Sequence, residues 1–285
     1  MIYIIVPTFA RVEETKKFLN SIQNSIEKGY LVLIIDDHPD KLTYKNIEQN
    51  KRVKILTSDK ELWWVGSINL GIQTLFEQYD LKDDDIIIFA NNDIQIDKKS
   101  FDILYTEIQK DEFQIVHPRT FNQDGIEVSS GAKIFSFFPY ITKHPKNFKE
   151  EKKVIDMGTA RFLMMSSVVL KKVGYINKEL VQYLGDNDFT LSAKRYYDIN
   201  TYILRDAICR LDDTQTGIKN NNIKNIKELY KSFFSIKSPN NLKYRYRFFK
   251  KFFGSIGAIF IVASMTLNVF VKYIIRQIKL IVYFL

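Results

Sequence analysis

Alternating strands and helices predict an α/β fold, a mostly parallel sheet with helices on both faces. Two observations carry that reading. Short apolar runs at 2–6 (IYIIV), 31–35 (LVLII), 53–57 (VKILT) and 86–90 (IIIFA) are separated by segments with helical spacing. Parallel neighbours need such crossover connections. The runs are also hydrophobic almost throughout, as strands covered on both faces are. A chain of 285 residues, 46% hydrophobic and 26% charged, can build a core of that kind.

Each element follows from its own pattern. The first run stops at Pro7. Over 12–28, Val12, Phe18, Leu19, Ile22 and Ile26 recur at helical spacing. The run at 31–35 is followed at once by Asp36, Asp37, His38 and Pro39. Residues 53–57 read as a third strand, 66–80 as a helix, and 86–90 as a strand ending in Asn91, Asn92 and Asp93. Residues 99–116 read as helix then strand, and 117–156 as loop-rich with short strands. The segment 162–174 is apolar on one side and ends at Gly174. Asp186 and Asp188 fall near the start of a further helix, where the dipole favours a carboxylate.

Polar residues gather where strands end: Pro7 and Thr8 with Arg11, then Asp36 and Asp37, then Asn91, Asn92 and Asp93. In an open parallel sheet the carboxyl ends lie on one edge, and ligands bind there. One acidic pair alone would read as a solvated turn. Three clusters on one edge read as a site.

Composition narrows the chemistry. A single cysteine, Cys209, excludes a disulfide framework and a cysteine zinc site, and three histidines (His38, His117, His144) leave little room for a multi-histidine centre. The net charge is +9, yet eight basic residues with no acidic counterpart lie in 243–285, leaving +1 for 1–242. The basic character therefore belongs to an apolar tail, which favours a membrane surface over nucleic acid. Within it, 252–271 is 20 residues without charge, about 30 Å as a helix. Lys272, Arg276 and Lys279 then recur on one helical face, which fits an in-plane anchor better than a span. The amino terminus reads as a first strand, not a signal peptide.

The segments IIVPTFAR, LIIDDHPD, LWWVGSINLGI, FANNDIQID and YLGDNDFTLSAKR, in that order, resemble the family 2 glycosyltransferases of the GT-A fold, from Met1 to about Gly217. LWWVGSINLGI is similar to the bacterial surface-polysaccharide branch, including rhamnosyltransferase-like members. The resemblance implies an inverting hexosyl- or deoxyhexosyltransferase. It would move a sugar from a dTDP- or UDP-sugar to a hydroxyl of a glycan or lipid-linked acceptor, in surface polysaccharide biosynthesis at the cytoplasmic face of the cell membrane. It implies a transferase domain over 1–217, a basic helical connector over 218–250 and a membrane-associated tail over 251–285.

It also implies roles. Pro7, Thr8 and Arg11 would cradle the nucleotide, and Asp36 and Asp37 would accept from base and ribose. Gly66, Asn69 and Gly71 would let the backbone approach the nucleotide and start the next helix. Asn91 and Asn92 would face sugar hydroxyls, and Asp93 would bind Mg²⁺ or Mn²⁺. Asp186 would be the general base, with Asp188 supporting it. The chain departs from the family pattern at three places. Asn91 stands for the first acid of a D-x-D motif, Gly185 stands where a Glu is common, and no His follows His144. Asp213 would be a substitute oxygen ligand in that last stretch, with an ordinary loop turn as the competing reading. These departures leave open a non-catalytic nucleotide- or glycan-binding module. A nucleotidyltransferase or a dinucleotide dehydrogenase is disfavoured, because PTFARVEET has no glycine.

Overall fold

A computed structural model describes residues 1–128, 130–137, 139–212, 223 and 225–283, the last five by backbone alone. The elements in chain order are β1 (Ile2–Thr8), α1 (Val12–Ser25), β2 (Tyr30–Asp36), α2 (Leu42–Asn46), β3 (Val53–Thr57), α3 (Trp63–Gln78), β4 (Ile86–Phe89), β5 (Ile94–Ile96), α4 (Lys98–Ile108), β6 (Gln114–Phe121), β7 (Gly131–Phe137), β8 (Tyr140–Lys143), β9 (Lys152–Ile155), β10 (Met157–Gly158), β11 (Leu163–Ser166), α5 (Ser167–Val173), α6 (Gly185–Tyr197), β12 (Asn200–Leu211), α7 (Ile226–Phe234) and α8 (Leu242–Tyr283). Two compact units result. The first comprises Met1–Lys133, Lys143–Lys178 and Gly185–Thr214; the second comprises Ile134–Thr142, Glu179–Leu184 and Gln215–Leu285.

The first unit is an α/β domain on a nine-stranded sheet of order β3-β2-β1-β4-β11-β6-β12-β5, with β9 also on β12. The first four strands are parallel, as their crossover helices require. The second half is mixed. β11 runs antiparallel to both β4 and β6, and β12 runs antiparallel to β5 and β9. β11 follows short strands, with no crossover helix to fix its direction. The apolar segment 162–174 divides into strand and helix at Ser166, whose hydroxyl accepts from Val169 N and caps α5. Gly174, at φ 74°, ends that helix.

Alternate residues of β1 point to opposite faces. Ile4 and Val6 join Phe18 and Ile22 of α1 and Phe101 and Leu104 of α4 in one cluster. On the other face a Cβ at Gly71 would lie 2.4 Å from Ile5 Cγ2, so α3 approaches β1 as only glycine permits. Phe89, which pairs with Ile5, meets Phe189 of α6 edge-on at 5.1 Å. Helices therefore cover both faces, and each fully buried large side chain contributes about 1.5–3 kcal/mol.

In the second unit, Leu242–Ile278 is long and apolar enough to cross a membrane by length and composition, its most apolar 18-residue stretch having a mean hydropathy of 2.0. The helix is not continuous. Gly254 (φ 69°, ψ 177°) breaks α8 into two arms, which only glycine does without strain. The uninterrupted helix expected over 252–271 is thereby corrected: its uncharged part is 255–271, about 26 Å long. The first arm buries Phe248 and Phe249, and Phe249 packs on Tyr140 at 4.9 Å. The second arm buries Ala258 and Ile261 but exposes Ile256, Ile259, Phe260, Leu267 and Ile275.

Candidate active site

The carboxyl ends of β1, β2 and β4 share one edge. The reversed strand β11 begins at that edge, since Leu163 pairs with Phe89. Residues 159–162 therefore lie beside the segment that follows β4. Ala160 N donates to Asp186 Oδ2 at 3.2 Å, which ties the start of α6 to the same place. Four non-glycine residues with positive φ mark the loops of this edge: Ala10, Lys41, Trp63 and Phe162. Backbone strain of that kind is held only where surrounding contacts over-determine it.

Several expected nucleotide contacts are engaged by protein partners. Asp36 is buried, and its oxygens accept from His38 N at 3.1 Å and Tyr44 N at 2.9 Å. Asp37 accepts from Leu62 N and Trp63 N, both at 2.7 Å, and so caps α3. Burial pushes the Asp37 carboxyl up, while these two N–H groups oppose the shift. The Thr8 hydroxyl meets Thr43 Oγ1 at 3.1 Å. Asn69 makes two bonds of 2.9 Å with the Ile176 backbone. Asn92 is buried and donates to Thr15 Oγ1 at 2.9 Å, anchoring α1. Pro7 lies in β1 opposite Ile35. A Cβ on Gly66, in the first turn of α3, would sit 3.1 Å from Leu62 Cβ.

Asp93 differs from these. Its Oδ2 accepts from Arg11 Nη1 at 3.2 Å, while its Oδ1 is buried with no hydrogen-bond partner among the described residues. Burial pushes this carboxyl up, and the charges of Arg11 and Arg161 oppose that. Asn91 Oδ1 accepts from Trp64 Nε1 at 3.0 Å. Among the described residues no three His, Cys, Asp or Glu side chains cluster as a metal-binding group. Asp213 lies outside the described residues. The described residues thus offer a divalent ion one orphaned carboxylate oxygen. That suits Mg²⁺ or Mn²⁺ shared with the oxygens of a bound diphosphate and with water.

Asp186 is half-buried at the amino end of α6, and its Oδ1 accepts from Asn187 N at 2.9 Å. Burial pushes its carboxyl up; the Asn187 and Ala160 N–H groups and the Arg161 charge act against this. A carboxyl raised in this way is a better proton acceptor. Asp188 is buried and accepts from Asn177 N at 3.2 Å. Sequence reasoning passed over Ala160, whose N–H holds Asp186, and Arg161, whose charge bears on both Asp93 and Asp186. The available signal was a lone arginine directly before a buried apolar run. His117 is buried beside them, with Nε2 2.8 Å from Thr159 Oγ1, and burial pulls it down to about 4, so it is neutral.

Residues 3–174 match the sequence pattern of Glycosyl transferase family 2, well over half of the chain. The chain belongs to glycosyl transferase family 2. This family 2 member is 21% identical over 199 residues to the Low-salt glycan biosynthesis hexosyltransferase Agl10 of Haloferax volcanii. The match covers 67% of this chain and 61% of the relative, so the chain spans less than two thirds of that protein's length. Among solved structures, the chain is similar to GalNAc-T7 with UDP, GalNAc and Mn²⁺: TM-score 0.58, 12% identity, 87% of this chain and 50% of that one. It is also similar to S. aureus TarS in complex with UDP-GlcNAc: TM-score 0.53, 15% identity, 75% of this chain and 59% of that one. At these identities the likeness concerns the fold, which is GT-A.

Proposed function

We propose that this family 2 transferase moves a hexosyl or deoxyhexosyl group from a UDP- or dTDP-sugar to a hydroxyl acceptor, with inversion. The observation that carries this reading is the Ala160–Asp186 bond. It ties a raised carboxylate to the loop beside Asp93, so a base and a leaving-group site share one edge. The acceptor hydroxyl gives its proton to Asp186 as its oxygen attacks the anomeric carbon. The bond from that carbon to the phosphate oxygen breaks, and its electron pair leaves on the nucleoside diphosphate. One displacement inverts the centre.

Asp93 Oδ1 would hold Mg²⁺ or Mn²⁺ against the diphosphate, and the bound ion supplies positive charge to the departing group. Arg11 orients Asp93, and Asp37 fixes the loop and helix start against which base and ribose would lie. Asp188 positions α6 through Asn177. Asp213 is the candidate for a second oxygen ligand. The donor assignment draws on the UDP-containing structural neighbours and the hexosyltransferase relative. The acceptor is read as a glycan or lipid-linked glycan of a surface polysaccharide, in the rhamnosyltransferase-like branch. Residues 1–217 would form the catalytic domain, 218–250 a connector and 251–285 an anchor at the cytoplasmic face of the membrane. The exposed apolar side chains of the second α8 arm support that placement.

The test is release of nucleoside diphosphate by the purified chain from a panel of UDP- and dTDP-sugars with Mg²⁺ or Mn²⁺. Turnover of at least one donor is expected. Binding without hydrolysis or transfer would favour the non-catalytic module.

A further inference from the structure

Arg161 has no part in the chemistry so far, yet its place is fixed from several sides. Its own carbonyl lies 3.8 Å from Cys209 Sγ, and Cys209 pairs with Ile96 of β5, the strand that Asp93 leads into. The preceding Ala160 N holds Asp186, and Thr159 holds His117. The following Phe162, at φ 71°, turns the chain into β11 beside the end of β4. Residue 161 is thereby pinned between the candidate base and Asp93, at the edge where a donor diphosphate would lie. Its side chain is half-buried. Its charge bears on both carboxyls, which places the guanidinium within electrostatic reach of each.

Two carboxylates and a diphosphate on one edge are a concentration of negative charge. The protein offers an ion few ligands there, because Asn91 replaces an acid and its oxygen is taken by Trp64. A guanidinium suits the gap. It keeps its charge, and its planar fork bonds two phosphate oxygens at once. Resting on the donor reading above, we propose that Arg161 grips the diphosphate of the nucleotide donor and shares with Arg11 the neutralisation of the leaving group.

Calorimetric titration without divalent ions tests this. The full chain, Arg161→Met and Arg161→Lys are each titrated with UDP, UMP, dTDP and dTMP in EDTA. The wild type is expected to bind at least one diphosphate about tenfold or more tighter than its monophosphate. Arg161→Met should lose most of that preference, and Arg161→Lys should keep part of it, since an ammonium is a single point charge. A general electrostatic role would weaken mono- and diphosphate alike. An undiminished preference in folded Arg161→Met overturns the proposal. If that variant does not fold, an unchanged preference in Arg161→Lys does so. A wild type that binds none of the four nucleotides strikes the donor reading itself.

Discussion

Trp64 fills the space that a side chain at Gly185 would need. A Cβ there would lie 2.8 Å from the Trp64 ring and 2.7 Å from Val65 Cγ2. The glycine that departs from the family pattern is thus the counterpart of a tryptophan on α3, and Asp186 follows directly from this packed position. Gly185→Ala is expected to cost about 1–3 kcal/mol by overpacking. Trp64→Ala in the same chain should recover part of that loss. Thermal melts of the two single variants and the double variant measure the coupling; strict additivity would contradict the contact.

Asp93→Ala removes the orphaned oxygen and the partner of Arg11 together. Transfer at saturating Mg²⁺ or Mn²⁺ should fall on the order of 10²–10³-fold, and stimulation by the metal should disappear. Rates measured across a metal titration decide it. A variant that responds to metal as the wild type does would contradict the assignment.

Asp186 links pH to both rate and stability. Its folded value lies above the ordinary 3.8, so the proposed base stays protonated to higher pH than a free carboxyl, and the rate should rise as pH passes through the raised value. Arg161→Met removes a charge that opposes the shift, so the acid limb of kcat should move to higher pH. Asp186→Asn should lower kcat by roughly 10²–10⁴. A raised carboxyl favours the folded state below its unfolded value, and that contribution is lost as pH rises through the folded value. The Tm of Asp186→Asn relative to wild type should therefore improve from about pH 4 to pH 7. A difference that stays flat across that range would contradict the shift.

The second arm of α8 predicts membrane attachment by its face, not by a crossing. Flotation with anionic vesicles should carry the full chain, and high salt should weaken but not abolish it, since Lys and Arg near a surface contribute about 1 kcal/mol each. Ile259→Asp with Leu267→Asp should reduce flotation strongly. A chain that stays soluble with vesicles at low salt would contradict the anchor, and salt-indifferent attachment would favour a span.

Much of the parallel half was readable because each strand is a short apolar run ended by polar residues. β3 coincides with the VKILT run, and β1 and β2 extend theirs by only one or two residues. Strand direction was not readable. FLMMSSVVLKKVG carries no glycine or proline inside it to mark where β11 ends, and only Ser166 as a cap divides it. The direction of β11 comes from its neighbours β4 and β6, which are distant in sequence. The same limit governs the site. Asp36 and Asp37 are visible as residues at a strand end, but their bonds run to His38, Tyr44, Leu62 and Trp63, and only the folded loops show that. Arg161 belongs to no motif, and its meaning appears only when β11 brings it to the edge. Gly254 is plain in the sequence, whereas its positive φ is a property of the folded tail.

The most direct test of the central claim needs no acceptor, because water can take that place. The first-formed sugar released by the purified chain from a turned-over UDP- or dTDP-sugar can be followed by proton NMR before it mutarotates. Released sugar with the anomeric configuration opposite to the donor's, produced by wild type and lost in Asp186→Asn, is the predicted result. Release with the donor's own configuration, or undiminished release by Asp186→Asn, would contradict a single displacement with Asp186 as its base.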